Sequence, residues 1–97
     1  VTAQVVSTGT TGTLNFDLAR CAVVATGDMC SGTVADMLST NGTIDSGENS
    51  TTTAAAAAVI NTSNDDVDVG EVIRVDFDAI HTTPSEGFII TLIFGPA

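Results

Sequence analysis

Two stretches of this chain alternate apolar and polar residues with a period of two and a third is almost continuously apolar, and no other feature restricts the possible folds as strongly. Successive side chains of a strand point to opposite faces, so strict alternation puts one set on a core and the other in water. In Leu14-Asn15-Phe16-Asp17-Leu18 the apolar residues share one face. Ile73, Val75, Phe77 and Ala79 alternate with Arg74, Asp76 and Asp78, which predicts a strand with one dry face and one wet, charged face. Phe88-Ile89-Ile90-Thr91-Leu92-Ile93-Phe94 is more continuous. Phe88, Ile90, Leu92 and Phe94 are expected toward the core, which leaves Ile89 and Ile93 on the second face. That face is either a contact surface or is covered by a neighbouring loop or by chain upstream of Val1.

Turn signals separate these runs. Ser7-Thr8-Gly9-Thr10-Thr11-Gly12 precedes the Leu14 strand; Thr26-Gly27-Asp28, Ser31-Gly32, Asn41-Gly42 and Ser46-Gly47 break the middle. Asn61 to Asp68 reads as a polar loop, and Gly70 permits the turn into the Glu71 strand. Thr82 to Gly87 is expected to join the last two strands as a hairpin-like loop, longer than a two-residue turn. Five alanines within Thr51 to Ile60 favour helix, but a helix shorter than about 12 residues is marginal alone. An extended segment or one helical turn packed on the sandwich is expected there, and Val34 to Leu38 is a second candidate for a single turn. Short strands with turns every 8 to 12 residues or so indicate an all-β fold, a sandwich or barrel and not a βαβ fold; an antiparallel β-sandwich with at most one or two helical turns is the expectation. The 97 residues fit one domain spanning 1–97, with no repeat or linker. The chain starts at Val1 rather than Met, so its true beginning is expected upstream.

Charge excludes whole classes of function. Twelve acidic side chains stand against two basic ones, a formal net charge of -10. Neutralising phosphates needs clustered Lys and Arg, and only Arg20 and Arg74 exist, so no nucleic-acid partner is expected. An anionic membrane surface is excluded on the same ground, and no apolar run approaches the roughly 18 residues of a membrane span. With 43% hydrophobic and only 14% charged residues, the composition is not that of a disordered chain.

Candidate chemistry is sparse. The acids of Asn64-Asp65-Asp66-Val67-Asp68-Val69-Gly70-Glu71 suggest calcium, which favours clustered oxygen ligands. An EF-hand is rejected, because Gly70 comes one place late for a frame starting at Asn64 and the twelfth residue of that frame is Val75. A looser calcium site at Asp65, Asp66 and Asp68 is the alternative to solvated loop acids, with Asp68 pairing with nearby backbone N–H groups. Otherwise no metal or cofactor is expected; two Cys and one His are too few for a zinc site. His81 is the sole imidazole, and without a nucleophile elbow it reads as a surface residue beside a Thr-Thr-Pro turn. Asp76 and Asp78 share a strand face, but a glycosidase needs carboxyls across a sugar cleft with aromatic platforms, and the chain has no Trp or Tyr. No catalytic residues are assigned, and no enzyme is expected. Cys21 and Cys30 either close a short loop by a disulfide or are two half-buried thiols of a protein assembled in the cytoplasm; the thiols are the expectation. Sequons at Asn41, Asn49 and Asn61 carry no weight in a chain this rich in Thr and Ser.

From Leu14 onward the order of segments resembles small domains of tailed-bacteriophage virion proteins. Thr13-Leu14-Asn15-Phe16-Asp17-Leu18-Ala19-Arg20 is similar to their strand ending in a basic residue. Met37-Leu38-Ser39-Thr40 followed by Thr43-Ile44-Asp45-Ser46-Gly47-Glu48 resembles their Leu-Ser-Thr and Thr-Ile-Asp-Ala-Gly-Glu segments, and Ser50 to Ala55 and Ala58-Val59-Ile60 continue in register. The strongest similarity is Val69 to Ile80, which resembles their Gly-Asp/Glu-x-Ile/Leu-x-Val-Asp-Val-Asp-x-Val strand; Gly87 to Phe94 closes the domain as theirs does. The resemblance runs from residue 13 to 94. It departs from the family pattern in a longer Cys21-to-Thr33 excursion and in lacking the strand that usually precedes the segment.

This resemblance implies a jelly-roll-like β-sandwich on the exterior of a phage particle, commonly trimeric, with no catalytic residue set. The expectation is therefore a non-enzymatic structural protein: a capsid decoration (cement) or head-fibre protein, assembled in the host cytoplasm onto the major capsid protein or other virion proteins. A tail-fibre or receptor-binding module is the alternative, disfavoured by a short chain without aromatic ligand platforms. Ile89, Ile93 and Phe94 are the expected partner contacts, and the acidic surface would keep particles dispersed. The rival from another class is a secreted or cell-surface adhesion or filament domain, calcium-dependent or not, which oxidation of Cys21 and Cys30 would favour.

Overall fold

The alternation around Leu14 builds the central strand. A computed structural model describes residues 1–22, 30 and 34–95. In it Leu14, Phe16 and Leu18 are buried on one face of β2 (Leu14–Ala22), and Asn15 and Asp17 lie half-buried on the other. β2 pairs along its full length with β7 (Glu71–Ala79) on one edge. Its other edge is shared by β3 (Val34–Asp36) at one end and β5 (Gly42–Ile44) at the other. Between them β4 (Leu38–Thr40) leaves this sheet and pairs with the short β6 (Val59–Ile60). The second layer is a two-stranded ladder of β1 (Thr2–Ser7) and β8 (Glu86–Thr91).

All these ladders are antiparallel, and the chain is all-β. First strand pairs with last and second with seventh, with β4–β6 inside, so the chain is a long hairpin wrapped over itself, as in a jelly roll. Ala3 and Val5 of β1 and Phe88 and Ile90 of β8 close over Leu14, Phe16, Leu18, Ile73 and Val75, with Met37, Leu38 and Ile44 completing the core. Phe88 meets the edge of Phe16 with ring centroids 5.4 Å apart, a favourable T-shaped geometry that ties the layers together.

Several expectations change. A strand does precede Leu14, where none was expected: β1, whose Ala3 and Val5 point inward by the usual alternation. Thr82 to Gly87 does not close a hairpin, because β7 and β8 belong to different layers. It crosses between layers beside the β1–β2 connection, to which it is stitched by Thr10 N–H···O Thr83 (3.0 Å) and Thr83 N–H···O Thr10 (3.1 Å). Val34 to Leu38 is not a helical turn: Val34 to Asp36 is held by the ladder to β2, and Leu38 begins β4. The alanine segment does begin with one turn, a 3₁₀ turn at Thr51–Thr53 capped by the Ser50 hydroxyl, and is then extended. The longer Cys21-to-Thr33 excursion lies, apart from Cys21, Ala22 and Cys30, outside the described residues.

Asn41-Gly42 is not a turn either, since Gly42 pairs with Phe16 inside the sheet. A side chain there would run into the Phe16 ring, so the glycine is needed for close approach. Gly42→Ala is expected to cost about 1–3 kcal/mol by overpacking, read as a lower urea midpoint, with part of the loss recovered in a Gly42→Ala/Phe16→Leu double variant.

Candidate functional site

The second sheet is narrower than the first, so the sandwich does not close at the end where β8 finishes. There a cleft of about 820 Å³ opens between the layers. It is lined by Leu18, Met37, Ile73 and Leu92 from the end of the core, by Ile93 and Phe94 as an apolar wall, and by Asp65, Asp66, Val67 and Asp68 as an acidic rim. Ile93 is 91% exposed and Phe94 55%, so the apolar wall is open to solvent. The expectation that Phe94 faces the core fails, because β8 ends at Thr91 and nothing holds the alternation beyond it.

The acidic rim is fixed by a charged residue that sequence reading passed over. Arg20 continues the inward register of Leu14, Phe16 and Leu18, and so arrives at the end of the core opposite Ile73. A guanidinium there needs partners, and it has them: its Nη1 donates to both carboxylate oxygens of Glu71 at 3.1 Å, and its Nε to the carbonyl of Asn64 at 3.1 Å. Glu71 also accepts the backbone N–H of Asp68 at 2.8 Å. That bond first, with Arg20 second, holds the Glu71 carboxyl below its usual range. Among the described residues the Asp68 carboxylate takes no backbone N–H, contrary to expectation; the residue instead gives its own N–H to the Glu71 carboxylate and accepts the Glu71 N–H on its carbonyl at 3.1 Å. Gly70, at φ 87°, makes the tight return that this closure requires. The readable signal was Arg20 itself, one of only two bases, at an inward position of an alternating strand.

Of the predicted site residues, Asp65, Asp66, Asp68, Ile93 and Phe94 are thus brought together around one cleft. Ile89 is not among them: it lies half-exposed on the outer face of the β1–β8 ladder, opposite Gln4. Among the described residues no group of three or more His, Cys, Asp or Glu side chains is placed to hold a metal ion. Asp76 and Asp78 are on the outer face of β7, engaged by Arg74 at 2.8 Å and by the Asn41 amide at 2.8 Å, and they do not line the cleft.

His81 is not a surface residue. It is 1% exposed, lies under the corner where the two connections cross, and packs its ring against Gly9, where any side chain would collide with it. Among the described residues neither ring nitrogen has a hydrogen-bond partner. The carbon skeleton of the ring fills the corner, and His81 is not among the residues that line the end cleft. Cys21 and Cys30 are joined in a disulfide with Cα atoms 5.2 Å apart, which replaces the expected pair of thiols.

Compared with known proteins, the chain matches no family, no curated protein and no solved structure.

On the outer face of the central sheet, Asp17 lies opposite Asp76, with Asp36 and Asp78 near. Burial raises the Asp17 carboxyl above its ordinary value, and the neighbouring acids add to the effect against one backbone N–H from Leu18. A raised carboxyl destabilises the fold once it is ionised, and the penalty vanishes below the unfolded value. Asp17→Asn is therefore expected to raise Tm at about pH 7, with the gain gone below about pH 3. A Tm gain that persists in acid would show that charge is not the cause.

Proposed function

We propose that the chain is a non-enzymatic structural module that docks onto a larger assembly, most specifically a capsid decoration or head-fibre protein on the exterior of a tailed-phage particle. The observation that carries the docking role is the end cleft, lined together by exposed Ile93 and Phe94, by the acids at 65, 66 and 68, and by apolar residues of the core end. An apolar wall of this kind facing water is a contact surface by its chemistry. The rim selects the partner: a protein surface that offers apolar side chains flanked by Lys or Arg, such as a capsid protein, would gain both burial and charge complementarity. The particle assignment itself rests on the segment order from Leu14 to Phe94. The remaining acids, with the net charge of -10, would face outward and keep particles apart.

Replacing both Ile93 and Phe94 by Asp is expected to abolish co-sedimentation with the particles while leaving the circular dichroism spectrum and Tm unchanged. Cryo-EM density for the chain over capsomers is the companion result. Density at the tail would instead make it a fibre module, and absence from the particle would overturn the virion role.

One observation favours a second reading. The Cys21–Cys30 disulfide fits an oxidising compartment, as for a secreted or cell-surface adhesion or filament domain. A thiol titration of native material under denaturing conditions separates the two: no free thiol is expected for the extracellular module, two for a protein assembled in the cytoplasm.

A further inference from the structure

β7 is a nine-residue strand with one edge on β2 and, among the described residues, no strand on the other. Its free edge can be defined group by group. The Leu18 carbonyl accepts the Met37 N–H at 2.8 Å, so the backbone groups of Leu18 point away from β7. Leu18 and its opposite number Val75 are therefore a non-hydrogen-bonded pair. The N–H and C=O groups of Val75, and by the two-residue period those of Ile73 and Phe77, consequently point outward to the free edge. Proteins usually blunt such an edge with charged side chains, Pro, inward-pointing charge or a bulge. Between Ile73 and Phe77 there is no Pro, inward-pointing charge or bulge; the inner-face side chains are all apolar, Phe77 is 49% exposed, and the only charges are Arg74 and Asp76 on the outer face. The one irregularity, between Asn15 and Phe16, affects only the far end of the ladder.

We propose that two copies of this chain pair edge to edge through β7, antiparallel about a two-fold axis at Val75. In this register Val75 faces Val75 of the second copy, and Ile73 faces its Phe77. All three are hydrogen-bonded pairs, so each outward N–H and C=O named above is satisfied. On the outer face Arg74 then falls opposite Asp76 of the second copy, twice by symmetry. These are non-hydrogen-bonded positions, where opposite side chains come closest. Moving the axis one residue to Arg74 would place Arg74 against itself, and one residue to Asp76 would place Asp76 against itself. Charge thus selects the Val75 axis from its neighbours. The existing Arg74–Asp76 pair within one chain, 2.8 Å and half-exposed, lies at the same spot and leaves the guanidinium free to bridge both carboxylates. The contact is isologous and closed, giving a dimer and not a fibre. The pairing is independent of what assembly the end cleft engages.

Analytical ultracentrifugation of the full chain tests it. The wild type is expected at twice its 9.8 kDa mass. Arg74→Asp alone and Asp76→Arg alone each place like charges across the axis and are expected to weaken association at least tenfold. An equimolar mixture of these two variants restores both cross-strand pairs and is expected to sediment as a heterodimer, an outcome that loss of the pair within one chain cannot produce. The Arg74→Asp/Asp76→Arg double variant recovers the homodimer and serves if one single variant fails to fold. A monomeric or trimeric wild type, a dimer indifferent to both single substitutions, or a mixture that stays monomeric overturns the proposal.

Discussion

The fold depends on β2 being paired along both edges at once. A strand in that position cannot slip, because one residue of shift would turn Leu14, Phe16 and Leu18 out to water and Asn15 and Asp17 into the core. With β2 fixed, β7 takes its register on one side, and the chain from Val34 to Ile44 takes its own on the other. Gly42 is part of the same constraint, since the Phe16 ring occupies the space where a side chain would be. The first and last strands can then close only over the face that β2 and β7 present.

That closure is uneven, and the unevenness shapes the surface. Ala3 and Val5, on the side covered by the segment around Asn49 to Thr51, are buried, whereas Phe88, Ile90 and Leu92 on the other side are only partly so. Along this more open side lie the β7 edge and, at one end, the apolar cleft. Charge is distributed to match. Arg20 and Glu71 close the end of the core and hold the acidic loop over the cleft, while Arg74 relieves part of the repulsion among the acids on the outer face. Two bases among twelve acids are both placed where a negative charge would otherwise be costly.

The strands with strong alternation were readable because each needs only a neighbour on one face, whatever that neighbour is. β2 and β8 follow this rule; β7 follows it at Ile73 and Val75 but not at Phe77 and Ala79, which were expected on the dry face and are exposed because the narrower second layer does not cover that end of the strand. β1 was passed over because Thr2 to Ser7 has only two inward residues, Ala3 and Val5, and exposed Val6 blurs the period. Reading Val34 to Leu38 as a turn failed for a similar reason: three residues carry no period of their own, and only the ladder to β2 makes them a strand. At the site, the acids at 65, 66 and 68 and the apolar residues Ile93 and Phe94 were each visible in the sequence, but their adjacency was not. They are separated by more than twenty residues and meet only because the layers end together.

Composition and periodicity by themselves determined that this chain is an all-β protein with an acidic surface, since alternation and charge are local properties that any packing must respect. Which strands pair, and therefore what lies beside what, was decided only in three dimensions. His81 is the clearest case: beside a polar turn in sequence, it is buried because two connections cross above it. Likewise the Cys21–Cys30 bond depended on bringing two Cα atoms to 5.2 Å, a distance set by the path of the chain and not by the number of residues between them.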